Sequence, residues 1–110
     1  MARSGTVLRP SAAGEESLVA LGRALCDPVR AGMLLALARE GGSRGICVCE
    51  LVERFGMGQS RISYHLGRLR EAGLVREERR GKWSYYSLDR EAAGALLGAA
   101  GRALLGGEGR

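Results

Sequence analysis

Val48-Cys49-Glu50-Leu51-Val52-Glu53-Arg54-Phe55-Gly56-Met57-Gly58-Gln59-Ser60-Arg61-Ile62-Ser63-Tyr64-His65-Leu66-Gly67-Arg68-Leu69 is the stretch whose reading decides the fold. Val48, Leu51, Val52 and Phe55 recur at i, i+3, i+4, i+7, the period of one apolar helix face, so the spacing predicts a short helix ending at Gly56. Gly56-Met57-Gly58 reads as a tight turn, since glycine reaches backbone conformations closed to other residues. A second helix follows from about Gln59 to Ala72, with Ile62, Leu66 and Leu69 as its apolar stripe and Gly73 as its stop. Two short helices joined by a glycine turn are a helix-turn-helix signature. Away from the stripe, the second helix offers Gln59, Ser60, Arg61, Ser63, Tyr64, His65 and Arg68, whose side chains can bond base edges and phosphates.

Downstream, Leu74 to Arg79 and Trp83 to Leu88 alternate or are rich in β-formers and flank Arg80-Gly81-Lys82, so they predict a hairpin with a basic tip. Arg79, Arg80 and Lys82 at such a tip cannot stabilise a core, but they suit the phosphate backbone beside an inserted helix. Trp83, Tyr85 and Tyr86 are expected to pack the hairpin onto the helices. Residues 46 to 88 therefore read as a winged helix-turn-helix unit gripping duplex DNA. A last helix is expected from about Arg90 to Leu105, carrying Ala92, Ala95, Leu96, Ala99, Ala103 and Leu104, with residues 106 to 110 as a tail.

Upstream, Asp27-Pro28 is a helix start, because the carboxylate accepts from first-turn amides and proline is tolerated at the first helical position. That helix runs to about Glu40 on Val29, Met33, Leu34 and Leu37, and the Gly41, Gly42 and Gly45 region ends it. Glu15 and Glu16 open an earlier helix with Leu18, Leu21 and Leu25 at helical spacing, and residues 1 to 14 read as a flexible arm. The fold class is thus mainly α, five helices with a β-hairpin wing, in a domain spanning residues 15 to 105. Apolar residues on the first and last helices exceed what so thin a domain can hide, which points to a homodimer through both.

Composition agrees with this architecture. A chain of 110 residues with 45% hydrophobic content has room for one domain, and a net charge of +5 favours an anionic partner. No stretch approaches the roughly 20 apolar residues of a membrane span, and the start lacks a secretory core, so a cytoplasmic protein without membrane contact is expected. Three cysteines, an odd count, do not make a disulfide framework. Cys47 or Cys49 acting as a nucleophile would need a base and an orienting group, and the lone His65 lies on the proposed DNA face, so no enzyme is expected.

Leu25-Cys26-Asp27-Pro28-Val29-Arg30, Cys47-Val48-Cys49-Glu50-Leu51, Gln59-Ser60 with Ser63-Tyr64-His65-Leu66, and Gly81-Lys82-Trp83 with Tyr85-Tyr86 stand in the order and spacing of the ArsR/SmtB metalloregulatory repressors, which the chain resembles over about residues 15 to 105. The resemblance implies a homodimeric repressor that holds double-stranded operator DNA and lets go when a toxic ion binds. Cys47 and Cys49 match the family's Cys-Val-Cys pair, which implies arsenite or antimonite as inducer, with cadmium or lead as other thiophilic candidates and no organic cofactor. Thiolates are soft donors suited to such ions. Two departures stand out: Gly58 replaces a frequent Ser or Thr cap, and Val52 occupies the place of a frequent third cysteine. Cys26 is the remaining thiol, but the intervening helix separates it from the pair by roughly 18 Å. The family's other site, on the last helix, is missing its histidine after Asp89 and Glu91.

Side chains two apart in a regular helix diverge, so joint binding by Cys47 and Cys49 is expected to distort the first turn and tilt the neighbouring DNA-reading helix. Two alternatives remain open at this point: a winged-helix repressor responding to thiol oxidation, and a winged-helix module that binds protein.

Overall fold

The computed structural model describes residues 12–106, with side chains from residue 14 onward. The first helix, α1 (Ala12–Leu25), starts three residues earlier than the sequence suggested. The rest of the expected arm, and the tail beyond Gly106, fall outside the described residues. Helix α2 (Pro28–Ala36) begins as anticipated: Asp27 Oδ1 accepts from the Val29 amide at 2.7 Å. That bond holds the Asp27 carboxyl below its ordinary range, against a smaller upward push from desolvation. Helix α2 then widens into a π-helical turn, Leu37–Gly41.

The next element departs from expectation. Ile46–Cys47 is a short strand, β1, and only from Val48 does the chain turn into α3 (Val48–Phe55). Strand β1 pairs antiparallel with β3 (Trp83–Leu88), Ile46 opposite Tyr86 and Cys47 opposite Tyr85, while β2 (Val75–Arg80) pairs with the other edge of β3. The wing is therefore a three-stranded sheet in the order β1-β3-β2.

Helix α3 ends on Gly56 in the left-handed conformation, φ 63°, and α4 (Gln59–Glu71) starts after Gly58, which offers no side-chain cap. Asp89 caps α5 (Arg90–Leu105) by accepting from the Ala92 amide at 3.0 Å, so this acidic residue is engaged in the helix start.

Met33, Leu37, Leu51, Ile62, Leu66 and Leu69 are fully buried and form the centre of the core, with Ile46, Leu74, Val75 and Tyr86 closing it under the sheet. All three stripe residues of α4 are thus inside, which turns its opposite face to solvent. Arg54 bonds Glu50 at 2.9 Å and also reaches Glu40, tying α3 to the end of α2. Helices α1 and α5 pack together, and Val19 of α1 and Leu97, Leu104 and Leu105 of α5 remain exposed.

Candidate nucleic-acid interface and its thiol pair

Because Ile62, Leu66 and Leu69 anchor one side of α4, its other side displays Gln59, Ser60, Arg61, Ser63 and Tyr64, all exposed. Arg68 is half-buried; it pairs with Glu71 at 3.5 Å and its guanidinium carbon lies 6.0 Å from the Tyr64 ring centre. The first-turn amides of α4 have no side-chain cap at Gly58, which leaves the positive end of the helix open toward an anion.

His65 is a correction. Expected on the DNA-facing surface, it is only 5% exposed, and its Nδ1 lies 2.9 Å from Arg30 Nη1. Since arginine can only donate, Nδ1 is the acceptor in this contact. A side chain so enclosed and so engaged does not reach a DNA groove. Arg30, which the sequence reading passed over, is equally buried at 5% exposure. Its Nε donates to the Ala24 carbonyl at 2.9 Å and its Nη2 to the Arg23 carbonyl at 3.1 Å, so it satisfies the carbonyl end of α1 while gripping α4.

The basic wing divides into two kinds of cation. Arg79 and Lys82 are exposed. Arg80 is fastened: Nη2 donates to the Arg44 carbonyl at 2.6 Å and to Glu78 Oε1 at 2.9 Å, and the guanidinium stacks 4.1 Å from the Tyr85 ring centre. The same guanidinium keeps the Glu78 carboxyl below its ordinary range. Arg80 thus braces the stem of the wing, where the sequence suggested a phosphate contact. Of the three aromatics expected to pack inward, Tyr86 is buried, but Trp83 is 48% exposed with Lys82 Nζ 5.4 Å from its ring centre. Glu77, also unforeseen, is held by Arg70 and by the Ser84 hydroxyl, which donates at 2.9 Å.

Cys47 and Cys49 sit where strand becomes helix. Cys47 is the N-cap of α3, with φ −65° and ψ 142°, and its Sγ accepts from the Cys49 amide at 3.2 Å. The rule that side chains two apart diverge holds only within a helix; with Cys47 extended, the sulfurs meet. They are joined as a disulfide across a Cα separation of 5.2 Å. The expectation that joint use of both thiols must first unwind α3 is therefore overturned. Cys47 is buried, and Cys49 is exposed. Cys26 is elsewhere, a free exposed thiol whose Sγ donates to the Arg23 carbonyl at 3.4 Å and receives Arg30 Nη2 at 3.6 Å. Among the described residues, no group of three His, Cys, Asp or Glu side chains could hold a metal ion, so Cys26 does not complete a site with the pair inside one chain.

An open cleft of about 410 Å³ brings these parts together. It runs between the start of α3, the first turns of α4 and the wing, and is lined by Cys47, Cys49, Gln59, Ser63, Arg79, Lys82, Trp83 and Tyr86, among others. The thiol pair and four of the residues expected at DNA share one concave face.

A helix-turn-helix with an exposed polar second helix and a braced three-stranded wing is a winged-helix fold, and solved transcriptional regulators share it. NolR from Sinorhizobium fredii superposes with a TM-score of 0.65 at 29% identity, over 89% of this chain and 95% of that one. Residues 27–77 match the family model described as bacterial regulatory protein, arsR family. The arsenical resistance operon repressor of Bacillus subtilis is 41% identical over 75 residues, 68% of this chain and 69% of that protein. The arsenic resistance transcriptional regulator ArsR1 of Pseudomonas putida is 46% identical over 69 residues, 63% of this chain, and the match spans only about half, 52%, of that relative's length. The chain belongs to the ArsR family of bacterial regulatory proteins.

Proposed function

We propose that the chain is a homodimeric transcriptional repressor of arsenical resistance genes, working in the cytoplasm, that holds a duplex operator with α4 and the wing. It releases the operator when a thiophilic ion binds the reduced thiols of Cys47 and Cys49. The observation that carries this reading is the shared cleft: the two sulfurs line the same wall as Gln59, Ser63, Arg79 and Lys82. An ion bound there acts directly on the surface that DNA uses. Cys47 is also paired with Tyr85 in the sheet, so a ligand on its sulfur pulls at the root of the wing. The names of the Bacillus and Pseudomonas relatives support arsenite, and the soft donor pair extends the choice to antimonite, cadmium and lead. Val19, Leu97, Leu104 and Leu105 on α1 and α5 supply the apolar face for a second copy. No described helix is long and apolar enough to cross a membrane.

The test is a mobility-shift titration of operator duplex with each ion, on the reduced protein and on Cys26→Ser, Cys47→Ser and Cys49→Ser. Release is expected for the native protein and Cys26→Ser and lost in the other two; release retained in all three variants rejects the thiolate site. The disulfide favours a second reading, repression relieved by oxidation of the same pair. Thiol titration separates them: loss of two thiols after peroxide, restored by reductant together with operator binding, supports the oxidative reading.

The two kinds of wing cation make a separate prediction. Arg79→Ala and Lys82→Ala should each lower the slope of log affinity against log salt by about 0.9 per protomer, about 1.8 for the bound homodimer, the share of one phosphate contact in each copy. Arg80→Ala should change that slope less and destabilise the hairpin instead. Equal slopes for all three variants and the native protein would remove the wing from the DNA interface.

A further inference from the structure

Of the 17 lysine and arginine residues, sixteen are arginine and one, Lys82, is lysine. The difference is chemical. A guanidinium stays protonated and resists acylation, whereas an ammonium that sheds its proton becomes an amine nucleophile. The chain therefore carries one basic side chain whose charge an acyl donor can remove. It stands at the tip of the wing, in the two-residue turn Gly81-Lys82 beyond the last paired residues of β2 and β3, Arg80 and Trp83.

The surroundings suit an anionic donor. Lys82 is exposed and makes no hydrogen bond or ion pair among the described residues; its Nζ lies against the Trp83 ring, 5.4 Å from the centre. Most nearby arginines are already matched: Arg70 with Glu77, Arg76 with Asp89 and Arg80 with Glu78. Arg79 has no such match among the described residues, and it lines the same open cleft as Lys82. Glu77, the carboxylate of that cleft, is held by Arg70 and the Ser84 hydroxyl. Two cations that no carboxylate neutralises, one of them acylable, thus face one polar space.

We propose that Lys82 is an acylation site whose donor is a small acyl phosphate, Arg79 holding the donor's phosphate while Nζ attacks the carbonyl carbon. One N–C bond forms and the C–O bond to phosphate breaks. Of the two protons the ammonium gives up, one leaves on phosphate and one goes to solvent; nothing is oxidised or reduced. The product is a neutral amide whose stem still lies along Trp83, so the hairpin keeps its packing and loses a charge. The effect on DNA rests on the repressor reading of the wing. Each copy gives up one phosphate contact, and at about 0.15 M salt a dimer should bind its operator about thirtyfold more weakly. The wing would then take an input separate from the thiol pair.

The experiment treats the reduced, full-length chain with acetyl phosphate, with acetyl-CoA, or with the uncharged acetate ester of N-hydroxysuccinimide. Peptide mapping reads Lys82 apart from the terminal amine. Acetyl phosphate should acetylate Lys82, and faster than acetyl-CoA at equal concentration. Arg79→Ala should slow the reaction with acetyl phosphate about fivefold, the worth of one exposed ion contact, and leave the reaction with the uncharged ester unchanged. Operator duplex binding is measured before and after treatment. The native chain should lose about thirtyfold in affinity and about 1.8 in salt slope, with its thermal midpoint unmoved. Lys82→Arg, which offers no amine, should bind equally before and after. Lys82 left unmodified, acetyl-CoA reacting as fast as the phosphate, or a reaction with acetyl phosphate indifferent to Arg79 overturns the site. Complete acetylation with no loss of affinity overturns its effect on the duplex. An untreated chain that binds no duplex rejects the repressor reading, while the mapped acetylation and its dependence on Arg79 still decide the site.

Discussion

Arg30→Met should destabilise the fold by about 3 kcal/mol, because it leaves two helix-end carbonyls and a buried imidazole nitrogen without their donor. Methionine fills much the same volume, so the loss isolates the hydrogen bonds: those to the Ala24 and Arg23 carbonyls and that to His65 Nδ1. In thermal unfolding the midpoint should fall by on the order of 10 °C or more. A double-mutant cycle with His65→Leu refines the result. If the two side chains act as a unit, the pair of substitutions should be less harmful than the sum of the singles by about 1–2 kcal/mol. Additive effects would show that Arg30 serves α1 alone and that α4 is positioned without it.

Gly45→Ala is the second large effect. Gly45 has φ 83°, and a Cβ there would lie 2.6 Å from the Tyr86 carbonyl oxygen, a backbone atom that cannot turn aside. Strain and overlap together should amount to about 2–4 kcal/mol. Gly56→Ala provides the control, since its φ of 63° is equally left-handed but nothing lies within 4 Å of the added carbon. It should cost only about 1–2 kcal/mol, the conformational part alone. Chemical denaturation of both variants checks the difference; identical losses would mean that the approach of Gly45 to β3 is not a constraint.

The helices were legible because their apolar residues recur at the helical period and Asp27-Pro28 marks a start. The short strand β1 was not, since two residues cannot show alternation, and with it went the true setting of Cys47 as a cap outside α3. His65 and Arg30 were misjudged or missed for a shared reason. An apolar stripe wide enough to face a core takes i, i+3, i+4 and i+7, so Ile62, Leu66 and Leu69 include His65 in their face, and Met33, Leu34 and Leu37 include Arg30. A polar residue within such a stripe signals a buried polar contact. Which residue it meets depends on how α2 crosses α4, and a single helix period does not encode that. The exposed residues of α4 were readable as the complement of its stripe. Arg80 resembled its neighbours Arg79 and Lys82 in sequence, and only the positions of the Arg44 carbonyl, Glu78 and Tyr85 set it apart.

The division of α4 into two faces has a consequence for how such a protein diversifies. Gln59, Ser60, Arg61 and Ser63 are exposed while Ile62, His65, Leu66 and Leu69 carry the packing. Substitutions among the first group leave the second untouched and, away from caps and buried partners, fall within about 0.5 kcal/mol of neutral. If α4 reads the operator as proposed, a lineage can drift toward a new operator sequence without eroding the scaffold that presents the helix, and duplicated copies can part company in the genes they govern while remaining the same machine.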